Sequence, residues 1–385
     1  MMGTKSIRSF ASPNHASKAG SVLDGVQYLR GLCAVIVVIS HCNGIIGKPE
    51  YYSTMVLPDW HIASVFAVAA FFSISGFIIV IASLGRDGTP RSGRAEFVRR
   101  RFIRIVPFLW LCTIGYNLLS WAGTGQFDWP AALRTLVVWP LGELKPNVAW
   151  SLRHELLFYA IYAAALLGAR RHVGLLVGWV LASTVFYLLA YDLGFASGTT
   201  NRPWFEALKV LMGGDHGANF QFAGGMILAY LYLLRPHRLP IGRVPPVVMV
   251  GLTLMAGLIV SLWPLPTGLP DAVVWTALAV PILASAICAR PARGWLGQAG
   301  LVLGNASFAI YLVHNPVVLV LLAVAAKARL PLAAPGALAA FLLLCIVAAV
   351  LAGVVVHYLV EGPLIRACER WTRRSGTAPA RVLVD

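Results

Sequence analysis

Several ionisable side chains lie inside long apolar stretches of this sequence, where they are costly and face a protein interior or a polar cavity rather than lipid. Arg30 and His41 stand eleven positions apart. On a helix that is three turns plus about 20° and roughly 16.5 Å of rise, so the two share a face. An anion-binding guanidinium at one membrane edge is thus stacked below an imidazole. Arg101 and Arg104, three apart at the start of another apolar stretch, share a face in a geometry suited to clamping phosphates. Glu155 follows Trp150-Ser151-Leu152-Arg153-His154 and sits about 7 Å inside its own edge, while His41, about 21 Å from the opposite edge, reaches a comparable depth. A carboxylate and an imidazole at one level can pair as a general base, the carboxylate fixing the tautomer and stabilising the imidazolium.

Other polar positions have weaker signals. Ser307, Tyr311 and His314 fall at i, i+4 and i+7 and form one stripe on an otherwise apolar helix that Pro316 is expected to kink. Ser75 lies in a run of small and aromatic residues that would let a neighbour approach closely. Arg153 and His154 point away from Glu155 and are expected to be interfacial anchors, and His357 and Glu361 an interfacial helix end.

These residues need helices that cross a bilayer. The chain has 385 residues, 58% hydrophobic and 12% charged, with a mean hydropathy of +0.76, whereas a soluble domain is roughly a quarter charged. A single soluble core, a disulfide scaffold and a disordered chain are all excluded. The expected fold is all-α, a polytopic integral membrane protein with about ten spans of about 20 residues each. They are placed at roughly 27 to 47, 61 to 84, 103 to 122, 150 to 168, 173 to 193, 216 to 234, 246 to 263, 272 to 289, 303 to 325 and 338 to 360.

An even number of spans puts both termini on one side. With the N-terminus inside, 23 of the 31 Lys and Arg residues fall on the cytoplasmic side, which predicts an N-in, C-in topology because basic residues are retained in cytoplasmic loops. The net charge of +16 is then mostly a topology signal plus one arginine cluster, and nucleic acid is not an expected partner. Residues 1–22 read as a disordered cytoplasmic tail without a signal-peptide pattern, residues 23–365 as one membrane domain and residues 366–385 as a cytoplasmic C-terminal tail. The six cysteines are scattered singly and the histidines lack ligand spacing, so no metal site is expected.

Taken in order, these motifs resemble acyltransferase family 3. They are Leu23-Asp24-Gly25 leading to Arg30 and His41, Phe71-Phe72-x-x-Ser75-Gly76-Phe77, Arg101-x-x-Arg104, Trp150-Ser151-Leu152-x-x-Glu155-x-x-Phe158-Tyr159, and Ser307-Phe308-x-x-Tyr311-Leu312-x-His314-x-Pro316. The opening Gln27-Tyr28-Leu29-Arg30 is similar to the exopolysaccharide-production branch. Arg153-His154 depart from the small or apolar residues more usual before the glutamate.

The resemblance implies a multi-pass protein of the bacterial cytoplasmic membrane. It would transfer an acyl group, acetyl by expectation, from cytoplasmic acyl-coenzyme A to a hydroxyl of an extracytoplasmic polysaccharide or lipid-linked glycan. Arg30, Arg101 and Arg104 would bind the coenzyme A phosphates. His41, oriented by Glu155, would act as the base, with Tyr311 or Ser75 at the oxyanion and Ser307 and His314 as further substrate contacts. An acyl-imidazole relay on His41 is an open alternative. Two other functions compete: a transporter or flippase for a polysaccharide intermediate, although no repeated halves are visible, and acylation of a small lipid, peptide or antibiotic scaffold.

Overall fold

The computed structural model describes residues 13–58, 61–166, 172–194, 202–235, 238–262, 269–332 and 334–375. Thirteen α-helices follow one another among them: α1 (Pro13–Ile46), α2 (His61–Ser83), α3 (Arg94–Thr124), α4 (Trp129–Leu136), α5 (Trp150–Ala165), α6 (His172–Tyr187), α7 (Pro203–Met212), α8 (Ala218–Leu234), α9 (Pro246–Leu262), α10 (Leu269–Ile287), α11 (Gly294–Lys327), α12 (Pro335–Val356) and α13 (Gly362–Ser375). Single π-helical turns extend α6 over Leu188–Asp192 and join α12 to α13 over His357–Glu361. Among the described residues there are two isolated β-bridges and no strand.

Each stretch expected to span the membrane coincides with a helix, and seven helices of the described residues are long and apolar enough to cross a bilayer. Two shorter apolar helices cover Ala218–Leu234 and Pro246–Val260. The first helix begins at Pro13, within the stretch read as an N-terminal tail, and residues 1–12 lie outside the described residues. At the other end, α13 carries the expected C-terminal tail as helix to Ser375, and residues 376–385 lie outside the described residues.

Five helices make the centre. α1 packs along α11, α2 packs along α8, and α10 touches α1, α2 and α8, while α12 covers α11. In an apolar medium, association rests on van der Waals packing and on small residues that let backbones approach. Glycines supply that approach here: a Cβ at Gly76 would stand 2.1 Å from the Phe222 carbonyl oxygen and one at Gly225 1.9 Å from that of Ser73, so α2 and α8 meet backbone to backbone. A Cβ at Gly304 would come within 2.1 Å of the Gln27 carbonyl oxygen, which sets the approach of α11 to α1. α6 is peripheral, with 22% of its apolar window buried against 67% for α2.

The link from α3 to α5 is held at the end of the bundle opposite the arginine-rich edge. Asp128 caps α4 by accepting from the Ala131 amide and pairs with Lys145 Nζ at 2.8 Å. The hydrogen bond from Lys145 holds the Asp128 carboxyl below the usual carboxylate range. Arg153 of α5 donates to the Gly142 carbonyl, which ties the same loop over the first turn of α5.

Overpacking a tight core costs about 1–3 kcal/mol, and backbone atoms yield less readily than side chains. Gly76→Leu or Gly225→Val is therefore expected to lower the melting temperature or abolish monodisperse solubilisation. Gly251→Ala faces open space and is expected to leave both unchanged, as read by size exclusion and thermal unfolding in detergent.

Candidate functional site

Where α1, α2, α3, α5 and α11 converge, a cavity of about 90 Å³ is lined by Arg30, Arg101, Arg104, Glu155, Ser75, Ser307 and Tyr311 among others. Seven of the nine residues selected from sequence thus line one space. Helical spacing explains the convergence: Ser307 and Tyr311 are one turn apart on α11, Arg101 and Arg104 one turn apart on α3, and Ser151, Glu155 and Tyr159 follow one another along α5.

The charged groups are positioned individually. Arg30 Nη1 donates to Gln27 Oε1 at 3.4 Å, and Gln27 Nε2 donates to Asn305 Oδ1 at 2.8 Å, so the guanidinium is referenced to both α1 and α11. The Arg101 guanidinium carbon lies 5.3 Å from the Tyr159 ring centroid and 5.6 Å from that of Phe97, a cation–π placement on two aromatic faces. Glu155 Oε1 accepts from Ser75 Oγ at 2.8 Å and from the Tyr159 hydroxyl. Three guanidinium groups and the Glu155 carboxylate line the space, and the buried Glu361 carboxylate also acts on Arg30.

The equal depth of His41 and Glu155 suggested a direct pair, and the hydrogen bonds run otherwise. His41 Nδ1 lies 2.8 Å from His314 Nε2, with ring centroids 5.0 Å apart. His314 Nδ1 lies 3.1 Å from the Ile310 carbonyl oxygen. A carbonyl only accepts, so His314 Nδ1 carries the proton and its Nε2, when neutral, accepts from His41 Nδ1–H. That order puts the lone pair of a neutral His41 on Nε2. His41 is hydrogen-bonded to His314 and Glu155 to Ser75 and Tyr159, and depth along two axes says nothing of the direction in which a side chain leaves its helix. The imidazole pair adjoins the cavity through Tyr311, whose ring centroid is 6.2 Å from that of His314.

The hydroxyl candidates also sort themselves. The Tyr311 hydroxyl donates to the Val148 carbonyl oxygen at 3.0 Å and lies 2.9 Å from Ser151 Oγ, and the Ser75 proton goes to Glu155. Both protons are committed, whereas the Ser307 hydroxyl is buried and has no hydrogen-bond partner among the described residues. A buried polar atom left unpaired calls for a ligand or water. Sequence reasoning missed Tyr159 and Ser151, although both lie one turn from Glu155. It also read His154 and the His357–Glu361 pair as interfacial. His154 is 7% exposed, and Glu361, 5% exposed, bonds His357 at 2.8 Å inside the bundle. No group of three or more potential metal ligands occurs among the described residues.

Long apolar helices around a cavity lined by three arginines, with a neighbouring imidazole pair, define a multi-pass membrane protein. Residues 23–357 match the acyltransferase domain family, and the chain belongs to it as a membrane acyltransferase. The exopolysaccharide production protein ExoZ of Rhizobium meliloti (strain 1021) is a relative, 31% identical over 326 residues, which cover 78% of this chain and 89% of that protein. No solved structure matches the chain.

The unpaired Ser307 hydroxyl makes a stability comparison informative. Ser307→Ala removes no hydrogen bond and is expected to leave the melting temperature unchanged, whereas Tyr311→Phe removes the hydrogen bonds to the Val148 carbonyl and Ser151 Oγ and is expected to cost about 1 kcal/mol. Thermal unfolding of the two variants in one detergent checks this.

Proposed function

We propose that the protein transfers an acyl group, acetyl in our reading, from cytoplasmic acyl-coenzyme A to a hydroxyl of an extracytoplasmic polysaccharide or lipid-linked glycan, in the cytoplasmic membrane of a bacterium with both termini inside. The observation that carries this is the convergence of Arg30, Arg101 and Arg104 on one cavity beside the His41–His314 pair. The relative named for exopolysaccharide production supports the choice of acceptor.

In this reading the three arginines bind the phosphates of the donor at the arginine-rich edge. The pantetheine arm extends along α1, whose Arg30-to-His41 separation of roughly 16.5 Å matches its reach. His41 Nε2 takes the proton from the sugar hydroxyl as its oxygen attacks the thioester carbonyl carbon. His314, anchored on the Ile310 carbonyl, keeps His41 in the tautomer that leaves Nε2 basic. The Ser307 hydroxyl, still able to donate, suits the developing oxyanion better than Tyr311 or Ser75. Collapse of the tetrahedral intermediate breaks the carbon–sulfur bond, and the thiolate leaves with the proton that His41 had taken. Glu155 holds Ser75 and Tyr159 in place and, through Tyr159, the face on which Arg101 rests.

His41→Ala is expected to abolish transfer while leaving the protein inserted and folded. His314→Ala is expected to lower kcat about 10²-fold or more with little change in KM for the donor. Arg30→Gln or Arg101→Gln is expected to do the reverse, raising the donor KM. Proton NMR of extracellular polysaccharide from cells lacking the gene, complemented with each variant, reads the ester-linked acyl signal against polymer yield. Loss of acyl signal at constant yield supports the reading; loss of polymer with unchanged substitution on the remainder would replace it with transport or assembly.

A further inference from the structure

A second, larger space lies behind α5. It is a cleft of about 660 Å³ between the loop around Gly142, the first turn of α5, α7 and the turn at residues 214–216, inside the roughly 300–1,000 Å³ range of ligand pockets. α5 divides it from the cationic cavity: Ser151, Leu152 and Glu155 line the cavity, whereas Trp150, Arg153 and His154 line the cleft. At 100° per residue these two sets point to nearly opposite sides of one helix. Phe72 lines the cavity and meets the ring of His154, which lines the cleft, edge-on at 6.1 Å.

The cleft is built around fixed polar groups. Lys209 Nζ is pinned between Glu206 at 2.9 Å and Asp215 at 3.1 Å. Burial alone would lower the Lys209 pKa, but the two carboxylates outweigh it and hold the ammonium charged above its usual range. Trp150 and His154 meet edge to face at 6.1 Å. The His154 imidazole is 7% exposed, yet its Nδ1 has no hydrogen-bond partner among the described residues, and the same holds for Arg153 Nε. Gly214, at a φ of +72°, passes so close that a Cβ there would stand 2.8 Å from His154 Cε1 and Nε2. The backbone has been brought against an imidazole whose other nitrogen is left unsatisfied, a costly arrangement unless a ligand completes it.

We propose that this cleft is a saccharide subsite that holds an uncharged sugar unit of the acceptor on the far side of α5 from the donor cavity. This deepens the function proposed above and rests on it. Arg153 and Lys209 balance Glu206 and Asp215, so the lining offers both donors and acceptors without a net charge to attract an ion, and a polyhydroxyl ring can use both. Trp150 supplies a rigid apolar face for the C–H side of such a ring. An acidic glycan would break the Lys209 pairs, and a lipid chain would leave the charged lining unsatisfied.

The test uses the full chain in nanodiscs, with short oligosaccharides released by partial acid hydrolysis of the polysaccharide made by cells lacking the gene. Binding is read by saturation-transfer NMR, donor binding by calorimetry with acetyl-coenzyme A, and transfer by acceptor and donor KM. Trp150→Ala, Glu206→Gln and His154→Phe are expected to weaken saccharide binding and raise acceptor KM about tenfold, with acetyl-coenzyme A binding unchanged as proof of folding. Arg30→Gln is expected to show the opposite split. If the oligosaccharides bind the wild type and all three cleft variants alike, the cleft proposal falls while the acyltransferase reading stands. If the wild type neither binds nor acylates them, the glycan reading itself falls and takes the cleft with it.

Discussion

Guanidinium groups and a carboxylate cannot be left facing hydrocarbon, and the architecture is shaped by that constraint. Arg30, Arg101 and Glu155 come from three helices and line a common space, which Arg104 reaches from an exposed position, so α1, α3 and α5 present those faces to one another. The requirement extends outward by hydrogen bonds: Glu155 is satisfied by Ser75 of α2 and Tyr159 of α5, Arg30 reaches α11 through Gln27 and Asn305, and Arg101 rests on Tyr159 and Phe97. Glu155 is the carboxylate among the lining residues, and the buried Glu361 acts on Arg30 from beside the cavity.

The polar centre imposes a second condition, that the helices around it be close and rigid, since apolar surroundings give no hydrophobic gain for packing helix on helix. The glycine contacts meet it at the positions that matter for the site. Gly304 brings α11 against the carbonyl of Gln27, next to the Gln27–Asn305 bond that steadies Arg30. Gly353 of α12 lies against Ile310, where a Cβ would approach its Cα to 2.5 Å, and the Ile310 carbonyl is the group that fixes the His314 tautomer. Gly76 follows Ser75 directly, so the α2–α8 contact also sets where the Glu155 partner stands.

Much of the site was legible because helix periodicity converts sequence spacing into a shared face. Ser307 and Tyr311, and Arg101 and Arg104, could be grouped that way, and the order of the motifs identified the family. Pairings between helices were less accessible. Rise per residue gave His41 and Glu155 similar depths, but the azimuth of each helix depends on packing contacts such as Gly304 on Gln27, which no single-helix pattern records. The cleft behind α5 was invisible for a different reason. It is assembled from a short helix, two glycines of positive φ and a loop held by Arg153 and Lys145, none of them periodic. His154 therefore read as an interfacial anchor when it is a buried ring between two cavities.

The substitution of His314 for a carboxylate as the partner of His41 has a chemical consequence for the proposed transfer. A carboxylate against Nδ1 would stabilise the imidazolium and so retain the proton taken from the sugar hydroxyl, which helps the attack but slows the return of that proton to the leaving thiolate. A neutral imidazole fixes the tautomer through the same hydrogen bond without adding a counter-charge. The carboxylate that could have served is instead kept on Ser75 and Tyr159, beside the arginines, where its charge moderates the repulsion among three guanidiniums. In the proposed transfer, orientation and charge balance would thereby be divided between two groups: His314 would aim the base, and Glu155 would make it tolerable to gather the cations that an anionic thioester donor needs.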